Sequence, residues 1–202
     1  MAPPTIYSRE RIIEACIEII RDIGWDGLTT NEISTRLGSS TRPIFTAFTG
    51  MDDLREQVYQ ALLDYMNEYT ESAMKYAPEF KQYGLMMIRF ATEEPRIFQT
   101  IFMKMEENPT DFDTLFFKES GVNAGYLELL MKQHDLTREE AVALYKQVWI
   151  HSIGISFLCA LNKCVFTEAE LSDMLSQQFQ ATLLYIKSGR LGEKTERPVK
   201  VD

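Results

Sequence analysis

The stretch LTTNEISTRLGSSTRPIFTAFTGMDDL, residues 28–54, decides how this chain folds. Thr29 and Glu32 have the spacing of a capping box, in which the threonine hydroxyl accepts from the Glu32 backbone N–H and the glutamate side chain reaches back. Gly38 follows an apolar residue and suits the left-handed conformation that ends many helices. These signals predict a short helix over residues 30–37.

A second short helix is predicted directly after that glycine. Ser40 is a suitable N-cap for a helix over residues 41–48. Pro43 falls in its first turn, where a missing backbone N–H costs nothing. Ile44 and Phe48, four residues apart, give this helix an inward edge. Another glycine then interrupts the chain, and two aspartates begin the next helix, beside its positive end.

Two short helices joined by a glycine-containing turn are typical of a helix-turn-helix, whose second helix enters the major groove of DNA. Arg42 is the expected base-reading residue, since an arginine can donate two hydrogen bonds to guanine. The rest of the predicted DNA-binding set is Thr30, Ser40, Thr41, Pro43, Phe45 and Thr46. The alternative is that these are simply two helices of an all-α domain, because capping boxes occur in any helical protein.

From Arg9 to Leu54 the chain resembles the N-terminal domain of the TetR/AcrR family of transcriptional regulators. The shared patterns are R-x-x-I-x-x-A from Arg9, T-T-x-x-I from Thr29 and S-x-x-x-[LI]-[YF]-x-x-F from Ser40. The resemblance implies an all-α fold, in which a three-helix DNA-binding domain is joined by a long helix to a helical ligand-binding and dimerisation domain. It also implies a homodimer formed through the last two helices.

Two positions depart from the usual residues of that family. A tyrosine is usual where this chain has Phe45, and a lysine is usual where it has Met51. Both changes remove a contact to a DNA phosphate and therefore affect affinity more than fold. Residues 1–50 are not basic either, with five basic against six acidic side chains in a chain of net charge −9. A regulator-like helical dimer that binds a partner protein instead of DNA is therefore the alternative function.

The 202-residue chain is long enough for one large or two small domains. We expect a helix-turn-helix domain over residues 1–50, a helical effector-binding and dimerisation domain over residues 51–190, and a polar tail over residues 191–202. The first helix is predicted from a Ser8 N-cap to Ile23, with Ile23 on its apolar edge. The second domain is predicted to begin with one uninterrupted helix from residue 51 to residue 77. No segment alternates like a strand.

Aromatic side chains on neighbouring helices of the second domain favour an apolar ligand pocket. The candidates for ligand contact are Phe98, Phe102, Phe112, Phe116, Tyr126, Trp149 and His151. The alternative for each is a place in the core, and for the histidine a core position with its hydrogen bonds satisfied. We expect a repressor that binds an operator in double-stranded DNA and is released by a small apolar or aromatic effector.

Catalytic motifs are not found in the sequence. H-E-x-x-H, C-x-x-C, P-loop and G-x-S-x-G patterns are all missing. We therefore expect a regulator and not an enzyme, with no cofactor and no metal site.

The three cysteines are an odd and widely spaced set, which does not suit a disulfide framework. Cys159 and Cys164 are either a redox pair or buried free thiols. The N-terminus has no apolar signal-peptide region, and no apolar run approaches the length of a membrane span. A cytoplasmic protein that does not contact membranes is expected.

Overall fold

The computed structural model describes residues 7–75, 78–103, 110–119 and 124–192, and within these ranges the secondary structure is helical with no strand. The predicted all-α fold is confirmed. The α-helices of the described residues are α1 Arg9–Ile23, α2 Thr30–Leu37, α3 Arg42–Ala47, α4 Met51–Glu71, α5 Glu79–Glu93, α6 Pro95–Phe102, α7 Phe112–Glu119, α8 Ala124–His134, α9 Arg138–Ala160 and α10 Glu168–Lys187.

The chain divides into two compact units. The first comprises Met1–Thr110 and Ile153–Val165, and the second comprises Asp111–Ser152 and Phe166–Asp202. Helices α1 to α6 therefore belong to the first unit, and α7, α8 and α10 belong to the second. The functional separation at residue 50, between DNA binding and effector binding, stays a prediction.

Helix α1 begins where the sequence predicts, because the Ser8 side chain accepts a hydrogen bond from the Arg11 backbone N–H. Its buried edge consists of Ile12, Ala15, Cys16, Ile19 and Ile20. The expectation for Ile23 was wrong, since this side chain is 53% exposed. The helix ends at this residue, and Gly24, with a φ of 81°, turns the chain away at that point.

Helix α2 has both of its predicted ends. The Thr29 hydroxyl accepts from the Glu32 backbone N–H at 3.2 Å. Gly38 adopts the left-handed conformation, with a φ of 63°, and its N–H donates to carbonyls of the last turn. Ile33 and Leu37 are buried, as their four-residue spacing predicts.

Helix α3 starts one residue later than predicted. The residue at its N-cap is Thr41 instead of the predicted Ser40, and the Thr41 side chain makes no capping hydrogen bond. The Ser40 hydroxyl nevertheless accepts from the Arg42 backbone N–H at 3.4 Å. Ile44 and Phe48 are buried, so the predicted inward edge is confirmed.

Helix α4 is shorter than predicted, since it ends at Glu71 and is followed by a 3₁₀ turn over Ser72–Lys75. At about 1.5 Å per residue it spans about 31 Å. The Thr70 hydroxyl donates to the Met66 carbonyl at 3.0 Å, and the Ser72 hydroxyl donates to the Tyr69 carbonyl at 2.7 Å. Such side-chain bonds compete weakly with the backbone hydrogen bonds of a helix. Residue 77 lies outside the described residues.

Helix α9 is more apolar than the sequence analysis allowed. It has 23 residues, and an 18-residue window reaches a mean hydropathy of 1.2, which suffices by length and composition to cross a membrane. The expectation that nothing approaches such a span was therefore wrong. Of that window, 44% is buried inside the protein, as in the core helix of a globular fold.

Capping boxes begin the last two helices. Before α9, the Thr137 backbone N–H donates to the Glu140 carboxylate at 2.8 Å, and the Glu140 N–H donates to the threonine hydroxyl at 3.3 Å. Thr167 and Glu170 repeat this pair before α10. Residues 193–202 of the predicted polar tail lie outside the described residues.

Candidate DNA-binding surface and ligand-contact residues

The outer face of α3 carries the predicted DNA-contacting side chains. Arg42, Phe45 and Thr46 are exposed, and positions three and four apart lie on one face of a helix. Ser40 and Thr41 directly precede α3, and the half-buried Thr30 is the first residue of α2. The polar candidates thus cluster at helix N-termini, where backbone N–H groups without helical partners can also meet phosphate oxygens.

The hydroxyl of Thr46 has a partner within its own helix. It donates to the Arg42 carbonyl at 2.9 Å. Its proton is therefore used inside α3, and what this residue offers to DNA is an acceptor oxygen and a methyl group. To donate to a DNA phosphate as predicted, the Thr46 hydroxyl would have to break this hydrogen bond to the Arg42 carbonyl.

Most arginines of residues 7–55 are held by the protein itself. Their partners are the Ala47 carbonyl for Arg9, Glu14 and Glu18 for Arg11, Glu94 for Arg21, Asp22 for Arg36 and the Leu28 carbonyl for Arg55. Among the described residues, the Arg42 side chain has no hydrogen bond and no ion pair. This leaves its guanidinium available for a ligand.

Arg9 is a positioning residue that the sequence analysis missed. Its guanidinium donates to the Ala47 carbonyl at the end of α3, with Nη2 at 2.7 Å and Nε at 3.2 Å. It also lies over the Phe48 ring, 4.8 Å from the centroid. The Tyr7 hydroxyl similarly donates to the Leu37 carbonyl at 3.0 Å. The acceptors are backbone carbonyls, which carry no sequence signal.

A carboxylate at the junction of α5 and α6 ties three elements together. Glu94 is the C-cap of α5 and the N-cap of α6. Its carboxylate accepts from Arg21 of α1 at 2.9 and 3.0 Å and from the Tyr65 hydroxyl of α4 at 3.1 Å. The hydrogen bond to Glu94 raises the pKa of Arg21. Burial, together with the neighbouring Glu94, raises the pKa of Tyr65.

The predicted ligand-contact residues fall into both compact units. Phe98 and Phe102 lie in the first unit, with ring centroids 4.7 Å apart, and Phe98 also packs against Phe157 at 5.4 Å. A cavity of about 580 Å³ in the same unit does not include them. It is lined by Ile23, Gly24, Trp25, Asp26, Arg96, Gln99, Thr100 and Met103.

The second unit brings three of the candidates together. The Phe112 ring lies 6.3 Å from Phe116 and 6.2 Å from Trp149, and Phe116 lies 5.5 Å from Trp149. Tyr126 stacks on Tyr145 at 6.5 Å. A cavity of about 620 Å³ is lined by Phe112, Ala143, Lys146, Gln147, Ala181, Thr182, Tyr185, Ile186 and Leu191. Its volume suits a small organic ligand.

Two ring nitrogens on α9 are buried without a partner among the described residues. They are Nε1 of Trp149 and Nε2 of His151. Burial lowers the pKa of His151, which favours the neutral imidazole. A buried polar atom without a hydrogen bond costs about 1–3 kcal/mol. His151 is therefore not a core histidine with its hydrogen bonds satisfied, which was the alternative considered from the sequence.

The cysteines and acidic residues form no metal centre within the described part of the chain, where no group of three or more His, Cys, Asp or Glu side chains has a suitable arrangement. All three cysteines are free thiols. Cys16 is buried, and burial raises its pKa to about 12. Cys164 is exposed, so a buried thiol was the wrong expectation for this residue.

Comparison with known proteins by sequence gives one short match. No protein-family model matches the chain. An uncharacterised helix-turn-helix transcriptional regulator from Mycobacterium tuberculosis is 33% identical over 64 residues, which are 32% of this chain and 29% of that protein. The aligned stretch therefore spans less than a third of this curated relative.

Comparison by structure extends over most of the chain. A protein from Mesorhizobium loti assigned to the TetR family of transcriptional regulators has a TM-score of 0.62 at 17% identity, with 90% of this chain and 98% of that chain covered. For the fatty acid degradation regulator FadR from Bacillus halodurans the TM-score is 0.56 at 17% identity, with coverage of 91% and 96%.

A third solved structure agrees with these two. It is a TetR-family protein from Vibrio parahaemolyticus with a TM-score of 0.55 at 15% identity, covering 86% of this chain and 97% of that chain. At sequence identities this low, the structural similarity shows the fold alone. The chain has the fold of the TetR-family transcriptional regulators.

Proposed function

We propose that this protein is a DNA-binding transcriptional regulator of the TetR type that works as a homodimer in the cytoplasm. The observation that carries the proposal is the outer face of α3. This helix follows α2 through the left-handed turn at Gly38, and it exposes the Arg42 guanidinium without a partner among the described residues. A helix-turn-helix requires a cation or another hydrogen-bonding group at this place to read bases.

Two copies of α3 would enter successive major grooves, which are about 34–36 Å apart along the duplex. Arg42 would read a base from each copy, with guanine as the expected partner because guanine accepts two hydrogen bonds from one guanidinium. Ser40, Thr41 and Thr30 would fix the register by contacting phosphates. Arg9 holds the end of α3 and would keep its angle in the groove constant.

Exposed apolar side chains on the last two helices support the homodimer. On α9 these are Ile150, Leu158 and the following residue Leu161, and on α10 they include Leu184, which is 69% exposed. Gly154 lies on the exposed face of α9, and a Cβ added there would meet no atom within 4 Å. Apolar faces of this kind suit a two-fold contact between copies of the chain.

The proposed effector site is the aromatic cluster of the second unit. Phe112, Phe116 and Trp149 supply apolar rings, and the unpartnered nitrogens of Trp149 and His151 supply polar groups that could orient a ligand. We propose a small apolar or aromatic effector with at least one hydrogen-bonding group. A ligand that prefers one conformation over another shifts the population of the DNA-binding state, and release from DNA makes the protein a repressor.

A gel shift with the chain's own upstream DNA at low salt tests the DNA-binding proposal. Arg42→Ala should weaken binding by about tenfold or more, since one good arginine contact to a base is worth about 1–3 kcal/mol. Arg11→Ala is the matched control, because it removes the same charge from a residue already paired with Glu14 and Glu18. Equal binding by the Arg42 variant and wild type would overturn the assignment of Arg42.

The same experiment addresses the alternative of a partner protein. Residues 1–50 carry no excess of positive charge, which is the observation in favour of that alternative. Failure of the wild-type protein to shift any DNA at low salt would support it against the DNA-binding proposal.

A further inference from the structure

An aromatic ring occupies the centre of the exposed face of α3. Phe45 is 55% exposed, although the neighbouring Ile44 and the later Phe48 are buried. Within residues 7–55, the other large apolar side chain exposed to this degree is Ile23, at the end of α1. Packing within the protein therefore does not account for a phenylalanine at position 45.

Helix geometry determines which side chains lie beside the Phe45 ring. Phe45 is three residues after Arg42 and four after Thr41, so the ring shares a face with both. Thr46, the next residue, uses its hydroxyl proton on the Arg42 carbonyl. The exposed face of α3 thus presents one guanidinium beside an aromatic ring and a threonine methyl.

We propose that Phe45 is a specificity residue that contacts the 5-methyl group of thymine next to the base read by Arg42. This inference rests on the proposed DNA-binding function. In the major groove, thymine presents an apolar methyl group, whereas guanine, adenine and cytosine present hydrogen-bonding edges. A phenyl ring has no hydrogen-bonding atom, so it cannot bind a phosphate as a tyrosine would. Contact with a thymine methyl is the readout that suits its chemistry.

The position of Phe45 also argues against two other uses of an exposed ring. Wedges that unstack base steps act from the minor groove, whereas the second helix of a helix-turn-helix lies in the major groove. A docking surface for a protein would need a wider apolar patch than one ring beside a free guanidinium. The DNA proposal accounts for Arg42 and Phe45 together.

Thymine-to-uracil exchange tests this inference directly, since it removes the methyl group and leaves the hydrogen-bonding edge unchanged. The probe is a duplex enriched by the wild-type protein from a randomised pool, with each thymine replaced in turn by deoxyuridine. A single replacement of the contacted thymine, in either half-site, should weaken wild-type binding by about fourfold, the factor expected for one buried methyl-sized group. Phe45→Ala should bind the thymine and uracil duplexes equally and keep the guanine preference.

Ile23→Ala is the matched control, because it removes a similarly exposed apolar side chain from the end of α1. This variant should keep the wild-type response to uracil. If wild type binds the enriched duplex but no thymine-to-uracil exchange changes its affinity, the inference is overturned. It is also overturned if the Phe45 variant keeps the uracil response. If wild type enriches no DNA, the proposed function fails, and this inference fails with it.

Discussion

Single side chains determine where the helices of the DNA-binding region begin and end. Thr29 was predicted to cap α2, and its hydroxyl does accept from the Glu32 backbone N–H. Gly38 was predicted to end that helix and does so in the left-handed conformation. Both predictions succeed because a cap depends on residues close in sequence. The contact between Arg9 and the Ala47 carbonyl spans 38 positions, and no local pattern could have indicated it.

Thr29→Ala should lower the free energy of unfolding by about 1 kcal/mol, since it removes the N-cap acceptor of α2. Thr35→Ala is the matched control, because this exposed threonine lies inside the same helix and donates to the Asn31 carbonyl. Alanine is the better helix former there, so the control should be neutral or slightly stabilising. Urea denaturation of the three proteins measures both effects, and equal losses for the two variants would contradict the capping role.

The unpartnered nitrogen of His151 has a consequence for stability at mildly acidic pH. Burial lowers the pKa of His151 in the folded protein below the ordinary value of 6.5. The unfolded chain therefore binds a proton more readily than the folded chain, and the free energy of unfolding falls as pH drops below about 6.5. His134 contributes in the same direction, through burial and the nearby Lys187.

Urea denaturation between about pH 7.5 and pH 5.5 tests whether the free energy of unfolding falls as the pH is lowered. Wild type should lose stability over that interval, and His151→Gln should lose less. His134→Gln separates the contribution of the second histidine. The pKa values of carboxylates such as Asp53 and Glu140 are lowered, so their protonation affects the free energy of unfolding only below this pH interval. A wild-type protein that gains stability as the pH falls would contradict the burial of an unpaired His151.

The sequence indicates some helix ends but not the side-chain contacts that connect one helix to another. Helix α6 begins with Pro95, a residue that suits the first turn of a helix. The role of Glu94, which meets Arg21 and Tyr65 from other helices, depends on tertiary geometry. The end of α4 was missed, since the helix was expected to continue to residue 77 and ends at Glu71 without a glycine or proline there. Helix ends with a local cap are therefore predictable, and an end without one is not.

The pair of Arg21 and Glu94 should couple α1 to the junction of α5 and α6. A double-mutant cycle with Arg21→Gln and Glu94→Gln should give a coupling energy of about 1 kcal/mol, at the upper end for exposed pairs because both guanidinium Nε and Nη2 engage the carboxylate. Added salt should reduce that coupling. The control pair, Arg11 with Glu14, is more exposed and should couple by about 0.3 kcal/mol. Equal coupling in the two cycles would contradict this difference.

The charge of the whole molecule bears on the proposed DNA binding. Its net charge is −9, and most arginines near α3 are committed to internal partners. The structural comparisons, at identities of 15–17%, confirm the fold that the N-terminal motifs predicted. The unpaired buried nitrogens of Trp149 and His151 were not predictable, because they result from packing.

Binding should therefore depend weakly on salt. Because Arg42 is assigned to a base and the proposed phosphate contacts are uncharged hydroxyls, few phosphates are neutralised, and a plot of log affinity against log salt should have a slope no steeper than about −2. Fluorescence anisotropy between about 50 and 200 mM salt measures this slope. A slope near −8 would show that many more cations reach the phosphates than the exposed Arg42 supplies.

Selection from a pool of randomised DNA duplexes, with the full-length protein, tests the central claim most directly. The proposed function predicts a two-fold symmetric motif whose half-sites lie about 10 base pairs apart, with a guanine in each half-site that Arg42→Ala no longer selects. Wild-type protein that enriches no motif over the input pool would contradict the claim that this chain reads DNA.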